Sequence, residues 1–65
     1  MRISRLKLKV EMAKRDMVQA ELAKISNISR QTINGILAGR RCSLETGQKI
    51  ADALKIDLKD ILQEV

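Results

Sequence analysis

Phe, Tyr, Trp, His and Pro are all missing from this sequence of 65 residues, and Cys occurs once. A single Cys excludes an intrachain disulfide, and the absence of His removes most structural zinc sites. Proteins that grip single-stranded nucleic acid, and sequence-specific readers of RNA, usually stack bases on aromatic rings. The missing aromatic residues therefore argue against both of these classes and leave double-stranded DNA favoured among nucleic acids.

Long apolar runs are missing as well. No stretch approaches the roughly 20 apolar residues of a transmembrane helix, and charge interrupts the start, MRISRLKLKV, too often for a signal peptide. We therefore expect a cytoplasmic protein without a membrane partner, in which Cys42 is a reduced thiol of no functional weight. A basic membrane-surface peptide remains an alternative if the N-terminal helix is free of the core.

Catalytic residue types are scarce. There is no His for acid–base work, and no nucleophile and base occur at a recognisable spacing. Gly35 and Gly39 do not form a phosphate-binding loop, because no strand precedes them and no Gly-Lys-Ser/Thr follows. We expect no enzymatic activity, no cofactor and no metal ion.

Length and charge narrow the class further. A chain of 65 residues forms one domain, and 45% hydrophobic residues without Pro fit a compact helical bundle. Residues 1–41 hold ten Lys or Arg against three acidic residues, whereas residues 42–65 hold three against five. A basic half is what a phosphate-facing surface requires, although a charge cluster alone is more often only a solvated surface.

The most informative segment is QAELAKISNISRQTINGILAG, residues 19–39. Its apolar residues have helical spacing on one face of each half, and Ser26 and Asn27 interrupt the pattern between the halves. The apolar positions are Leu22, Ala23, Ile28, Ile33, Ile36 and Leu37. This pattern predicts two short helices joined by a tight turn, the layout of a helix-turn-helix.

From residue 6 to residue 62 the sequence resembles the lambdoid phage repressor family of Cro/cI or XRE type. The matching blocks are residues 19–23, 27–30, 32–33, 39, 43–46 and 49–54. The resemblance implies an all-α fold: a single five-helix lambda-repressor-like domain over residues 1–65, with the helix-turn-helix at about 19–38. The expected helices are 4–14, 19–25, 30–38, 44–54 and 58–64.

Local signals support these boundaries. Ser4, Ser29 and Ser43 can cap the first, third and fourth helices, whereas Val18 gives the second no side-chain acceptor. We expect the first helix to bury Leu6, Leu8, Val10, Met12 and Ala13, and the fourth to bury Leu44, Ile50, Ala51 and Leu54. Gly47 lies inside the fourth helix at a cost of roughly 1 kcal/mol relative to Ala, and only close packing offers itself as a reason.

The third helix carries the expected base readers. In the docking mode that the resemblance implies, this helix lies in the major groove and its N-terminal residues reach the bases. Position by position, the base readers are then Arg30, Gln31 and Asn34. Arg can fork onto guanine, while Gln and Asn can pair with adenine. Gly35 follows on the same face, either to allow close approach to the groove or as a neutral surface residue.

Other polar residues are expected to contact phosphates. Gln19 matches a position where relatives touch a phosphate, and the start of a helix favours an anion. The remaining phosphate candidates are Thr32, Arg40, Arg41 and Ser43. These contacts would position the domain without specifying the sequence.

Two departures from the family pattern occur together. Many relatives have an Arg at the place of Met12 and a Glu at the place of Leu37, which form an ion pair between the helices. Replacing such a pair by apolar side chains is often neutral or stabilising. We therefore expect Met12 and Leu37 to form a core contact.

The resulting hypothesis is a sequence-specific, double-stranded DNA-binding transcriptional regulator, a repressor encoded by a bacterium or phage and located at the nucleoid. Its operator is expected to be palindromic, with the protein a homodimer at least on DNA. The expected dimer surface comprises Leu58, Ile61, Leu62 and Val65, unless the first three turn inward. The alternative function is a protein-interaction module, such as an antitoxin or an adaptor, on the same scaffold.

Overall fold

The computed structural model describes residues 1–63, which form four α-helices and one short 3-10 helix. The helices are α1 (Arg5–Lys14), α2 (Gln19–Ser26), α3 (Arg30–Leu37) and α4 (Leu44–Leu54), and the 3-10 helix is Leu58–Asp60. Extended pairing among the described residues is confined to one isolated antiparallel bridge between Ile3 and Leu62. The first four predicted helices are therefore present, each within a residue of its expected ends.

Serine caps begin three of the helices as the sequence predicted. The hydroxyl oxygens of Ser4, Ser29 and Ser43 accept hydrogen bonds from the backbone N–H three residues later, at 3.1–3.2 Å. A cap of this kind contributes about 1 kcal/mol. Helix α2 lacks one, because Val18 has no side-chain acceptor, and the Glu21 carboxylate only accepts a long 3.5 Å bond from the Val18 N–H. Helix α2 must therefore rely on packing.

The turn between α2 and α3 depends on one backbone conformation. Asn27 has φ 57° and ψ 38°, the left-handed region that Asn tolerates better than other non-Gly residues. The Ile28 N–H then donates to the Ala23 carbonyl at 3.2 Å, which closes the end of α2. Asn27 thus ends α2 and lets the chain begin α3 three residues later.

Residues from all four helices and from both chain ends form the core. In residues 1–63 the buried hydrophobic side chains are Ile3, Leu8, Met12, Leu22, Ile33, Ile36, Ile50, Ala51, Leu54 and Ile61. Met12 is 7% exposed, and Leu37 is half-buried against the same cluster. The burial of Met12 fits the proposed exchange of an ion pair for an apolar contact. Direct contact between Met12 and Leu37 stays a prediction.

Three of the expected core positions of α1 were wrong, and so was one of α4. Leu6 and Val10 are 70% and 44% exposed, and Ala13 is exposed as well. The apolar residues of α1 form two stripes, and only the stripe of Leu8 and Met12 faces the core. Leu44 is 67% exposed, because it is the first residue of α4 and precedes the buried turns of that helix.

The predicted fifth helix, 58–64, was also wrong over the residues that the structure describes. After the single 3-10 turn at Leu58–Asp60 the chain becomes extended, where it pairs with the N-terminal segment. The Ser4 N–H donates to the Ile61 carbonyl at 2.7 Å, and the Gln63 N–H donates to the Arg2 carbonyl at 3.1 Å. These partners satisfy backbone groups that a helix would otherwise pair internally. The last residues of the predicted helix, 64 and 65, lie outside the described residues.

The same arrangement buries Ile61, which lay in the middle of the expected dimer surface. Ile61 is 0% exposed, so its proposed role as an exposed apolar contact was wrong. Leu58 and Leu62 are half-buried, and Leu58 packs against the core. The alternative in which these side chains turn inward is closer to the structure, while Val65 lies outside the described residues.

Close packing, the one reason for Gly47 that the sequence suggested, is present in the structure. Gly47 is buried, and a Cβ added there would lie 3.1 Å from Met1 Cε and 3.2 Å from Leu58 Cδ1. Met1 is held nearby, because its carbonyl accepts a hydrogen bond from the Cys42 N–H at 3.0 Å. Both chain ends therefore approach α4 closely at Gly47. Burial raises the pKa of the Cys42 thiol in this region.

Candidate nucleic-acid interface

Helix α3 has one buried face and one polar face. Ile33 and Ile36 are 0% and 1% exposed, which fixes the rotation of the helix about its axis. The three predicted base readers, Arg30, Gln31 and Asn34, are all exposed. Asn34 is four residues after Arg30 and three after Gln31, so it lies beside both of them on the side of α3 that points away from the core.

A groove runs along this outward face. It has a volume of about 510 Å³ and is lined by Gln31, Asn34, Gly35, Ala38 and Arg40. The structure thus brings two of the predicted base readers together with Arg40, which the sequence had placed among the phosphate contacts. Arg30 is exposed at the start of α3 but does not line the groove.

The predicted phosphate contacts lie at helix starts and in the loop after α3. Gln19 is the first residue of α2, where Val18 leaves the free N–H groups without a side-chain cap. Arg41 is exposed in the loop between α3 and α4. These are positions from which an amide, or a cation on a long side chain, can reach an anion.

Thr32 and Ser43 already have partners within the protein. Thr32 Oγ1 is 2.7 Å from Ser29 Oγ, and either oxygen can be the donor. Ser43 Oγ donates to Thr46 Oγ1 at 3.0 Å and accepts from the Thr46 N–H at 3.1 Å. To donate a hydrogen bond to a phosphate, the Ser43 hydroxyl would therefore have to give up its hydrogen bond to Thr46 Oγ1.

Ion pairing leaves the cations near α3 available. Among residues 1–63, the ion pairs join Lys14 and Arg15 to Glu11, and Lys49 to Glu45. Hydrogen bonds from Arg15 and Lys14 lower the pKa of the Glu11 carboxyl. In that same part of the chain, Arg30, Arg40 and Arg41 have no carboxylate within ion-pair distance. Their positive charge is not compensated locally and favours an external anion.

Two cations that the sequence analysis did not assign to the interface lie beside it. Arg2 and Arg5 line a second groove, of about 410 Å³, which also includes Ala38 and Gly39. Because Ala38 lines both grooves, the second one continues the first past the end of α3. Only the tertiary packing of the start of α1 beside Gly39 brings these arginines there, so spacing along the sequence gave no signal.

Other kinds of site have less support. The described residues include no group of three or more His, Cys, Asp or Glu side chains that could hold a metal ion. No helix in residues 1–63 has both the length and the apolar character needed to cross a membrane.

Comparison with known families gives one extensive match. The profile of the Cro/C1-type HTH DNA-binding domain family matches residues 7–64. No curated protein matches the chain.

Solved structures show the same fold in different contexts. A variant of hydroxyethylphosphonate dioxygenase matches 100% of this chain with a TM-score of 0.88 and 20% identity, but the chain spans 14% of that protein. Native PhpD with cadmium atoms matches with a TM-score of 0.85, again at 20% identity and 14% of its length. These two likenesses show the fold alone.

A third structure is similar in size as well. C.AhdI, a restriction-modification controller protein from Aeromonas hydrophila, matches with a TM-score of 0.81 and 28% identity. The alignment covers 86% of each chain. The fold of residues 1–63 therefore resembles that of a controller protein over most of both molecules.

Proposed function

Because the chain belongs to the Cro/C1-type HTH DNA-binding domain family, we propose that it is a sequence-specific regulator of transcription. It binds double-stranded DNA, lays α3 in the major groove and represses by occupying an operator. The observation that carries this proposal is the outward face of α3, where Arg30, Gln31 and Asn34 are exposed opposite the buried Ile33 and Ile36.

The proposed readout follows from the hydrogen-bonding groups on that face. Arg30 donates two parallel bonds to the O6 and N7 atoms of a guanine, and Gln31 and Asn34 each pair with an adenine. The burial of Ile33 and Ile36 fixes the direction in which these side chains leave the helix. The packing of α3 against the core thus determines which way the proposed base readers face.

Phosphate contacts on either side of α3 hold it in the groove. Gln19 lies at the start of α2, Thr32 and Ser43 lie at the starts of α3 and α4, and Arg41 lies in the loop between those two helices. They supply the sequence-independent part of binding, which depends on salt because bound cations of the DNA are released. Arg40 has the same charge but lies in the groove of the base readers.

We propose that two copies bind a palindromic operator. Helix α3 has only 8 residues, so one copy contacts few base pairs. Two-fold symmetry would place two copies on half-sites about 34 Å apart, one turn of the duplex. Since Ile61 is buried, that side chain cannot lie at the contact between the two copies.

The likeness to C.AhdI supports a second, narrower candidate. C.AhdI is a restriction-modification controller, and it is similar to this chain over 86% of both proteins. On this hypothesis the operator regulates genes of a restriction-modification system. The DNA chemistry is the same in both candidates, so the position of the selected operator in the genome distinguishes them.

Selection of binding sites from random duplex DNA tests the proposal. Wild-type protein is expected to enrich a palindrome whose halves are about one helical turn apart. The matched control is Lys59→Gln, which removes one exposed cation from the 3-10 helix, remote from α3 in the sequence. It should enrich the same palindrome. Enrichment of no sequence by the wild-type protein would overturn the proposed function and favour the protein-interaction module.

A further inference from the structure

Arg40 is held against the outward face of α3 by Gly35. Its backbone N–H donates to the Gly35 carbonyl at 2.9 Å, which folds the chain back after the helix ends. A Cβ placed on Gly35 would lie 3.2 Å from Arg40 Cδ, 3.9 Å from its Cβ and 4.0 Å from its Cγ. The apolar stem of Arg40 therefore lies where a side chain at position 35 would stand.

The contact between Gly35 and Arg40 lies on the face of α3 that carries the predicted base readers. Gly35 is one helical turn after Gln31 and directly follows Asn34, so it belongs to the same outward face. It is half-buried although it points away from the core, and the three nearest atoms to its missing side chain all belong to Arg40. The Arg40 stem thus lies beside the row of predicted base readers, at the level of Gly35.

The neighbouring arginine provides a contrast within the same loop. Arg41 carries the same charge and is exposed, but it does not line the groove that Gln31, Asn34 and Arg40 share. A residue that only neutralises phosphate needs no fixed stem, because charge attraction acts in any orientation. A residue that forks onto a base edge gains from a stem held in one place, since less side-chain freedom is lost on binding.

We propose that Arg40 is a specificity-determining residue that donates two hydrogen bonds to the O6 and N7 atoms of a guanine in the major groove. Gly35 is its positioning residue, since it provides the surface along which the Arg40 stem lies. The inference rests on the proposed function, and it replaces the phosphate role that the sequence predicted for Arg40.

The first test compares binding-site selection by wild-type protein, Arg40→Lys and Arg41→Lys. Lys keeps the charge but lacks the two parallel N–H donors that a planar guanidinium presents to guanine. We expect Arg40→Lys to lose about tenfold of the preference for one G·C pair in each half-site, at an unchanged salt slope. Arg41→Lys should keep the wild-type preference. If both variants select the wild-type site, Arg40 is not a base reader, whereas selection of no site by wild-type protein instead defeats the proposed function.

A second test isolates Gly35. Gly35→Ala should weaken the preference for the same G·C pair and leave Tm unchanged or higher, because Ala favours a helix more than Gly does. In the Arg40→Ala background the same change should have no effect on affinity, since the stem that it displaces is gone. Equal losses in both backgrounds would show that the new methyl group meets the DNA directly and would overturn the positioning role.

Discussion

The helix-turn-helix and the paired chain ends are held in place by interactions of different range. The turn is closed by Asn27 and by the bond from the Ile28 N–H to the Ala23 carbonyl, both local in sequence. The chain ends are joined by hydrogen bonds between residues that are more than fifty positions apart in the sequence. One of these runs from Lys7 Nζ to the Leu62 carbonyl at 3.2 Å, across 55 positions. The turn that orients the proposed DNA-reading helix thus depends on residues close in sequence, whereas the pairing of the chain ends depends on residues far apart in sequence.

The two regions should therefore contribute to different properties, the outward face of α3 to DNA binding and the paired chain ends to stability. The side chains of α3 that are proposed to read bases are exposed, so their removal should leave the core unchanged. The residues that join the chain ends include Ile3 and Ile61, which are almost completely buried but are not on the outward face of α3. Substitutions in the two regions should therefore affect different measurements.

The largest effect is expected at the chain ends. Ile61→Ala should lower the free energy of unfolding by about 2–5 kcal/mol, because it opens a cavity at a side chain that is 0% exposed. Domains of this size have only about 3–5 kcal/mol in total, so the variant should be close to unfolded. Urea titration measures the loss.

The control for that variant is Leu44→Ala, which removes a leucine that is 67% exposed and should change stability by no more than about 0.5 kcal/mol. Equal stability of Ile61→Ala and wild-type protein would show that the chain ends do not support the fold.

The next largest effect concerns the outward face of α3. Arg30→Ala and Gln31→Ala should each weaken binding to the cognate duplex by roughly 1–3 kcal/mol, because each removes hydrogen bonds to a base. Their urea midpoints should match that of the wild-type protein. Fluorescence anisotropy with cognate and scrambled duplexes measures the effect, and an equal loss on both would remove these residues from readout.

A smaller effect is expected at the turn itself. Asn27→Ala should destabilise the fold by roughly 1–2 kcal/mol, since Ala tolerates the left-handed conformation at φ 57° poorly. Asn27→Gly should not be destabilising, because Gly adopts that conformation without a steric cost. Thermal unfolding of both variants checks the prediction. Equal destabilisation of both variants would mean that the Asn27 side chain, and not its backbone conformation, closes the turn.

The smallest effect is expected where the chain ends meet α4. Gly47→Ala gains about 1 kcal/mol of helix propensity, but the new methyl group would lie 3.1 Å from Met1 Cε and 3.2 Å from Leu58 Cδ1. These terms should nearly cancel. In a Leu58→Ala background, where the contact with Leu58 Cδ1 is gone, the same change should be more stabilising by urea titration. The same change in stability in both backgrounds would show that Leu58 does not restrict the side chain at position 47.

The difference in range also explains what the sequence could predict. The four helices were predictable because their caps, such as Ser29 and Ser43, act on residues three positions away. The extended segment after Leu58–Asp60 was not, because its partner is the chain near Ile3. Periodicity likewise could not decide which of the two apolar stripes of α1 faces the core.

The candidate site could be predicted only in part, although the contact between α3 and Arg40 is local in sequence. Arg30, Gln31 and Asn34 could be predicted as exposed residues on one face, because a single helix and its two buried isoleucines determine it. The place of Arg40 could not, because it depends on how the chain folds back over Gly35 after α3 ends.

The triple variant Arg30→Ala, Gln31→Ala, Asn34→Ala tests most directly whether the outward face of α3 reads the DNA sequence. Its affinity is measured on the duplex that wild-type protein selects and on a scrambled duplex of equal length, at one salt concentration. If Arg30, Gln31 and Asn34 read the sequence, the folded variant should lose its preference for the selected duplex except for the part that Arg40 supplies, and its affinity for the scrambled duplex should change far less. A folded triple variant that still prefers the selected duplex as strongly as wild-type protein would show that these three side chains do not read the sequence.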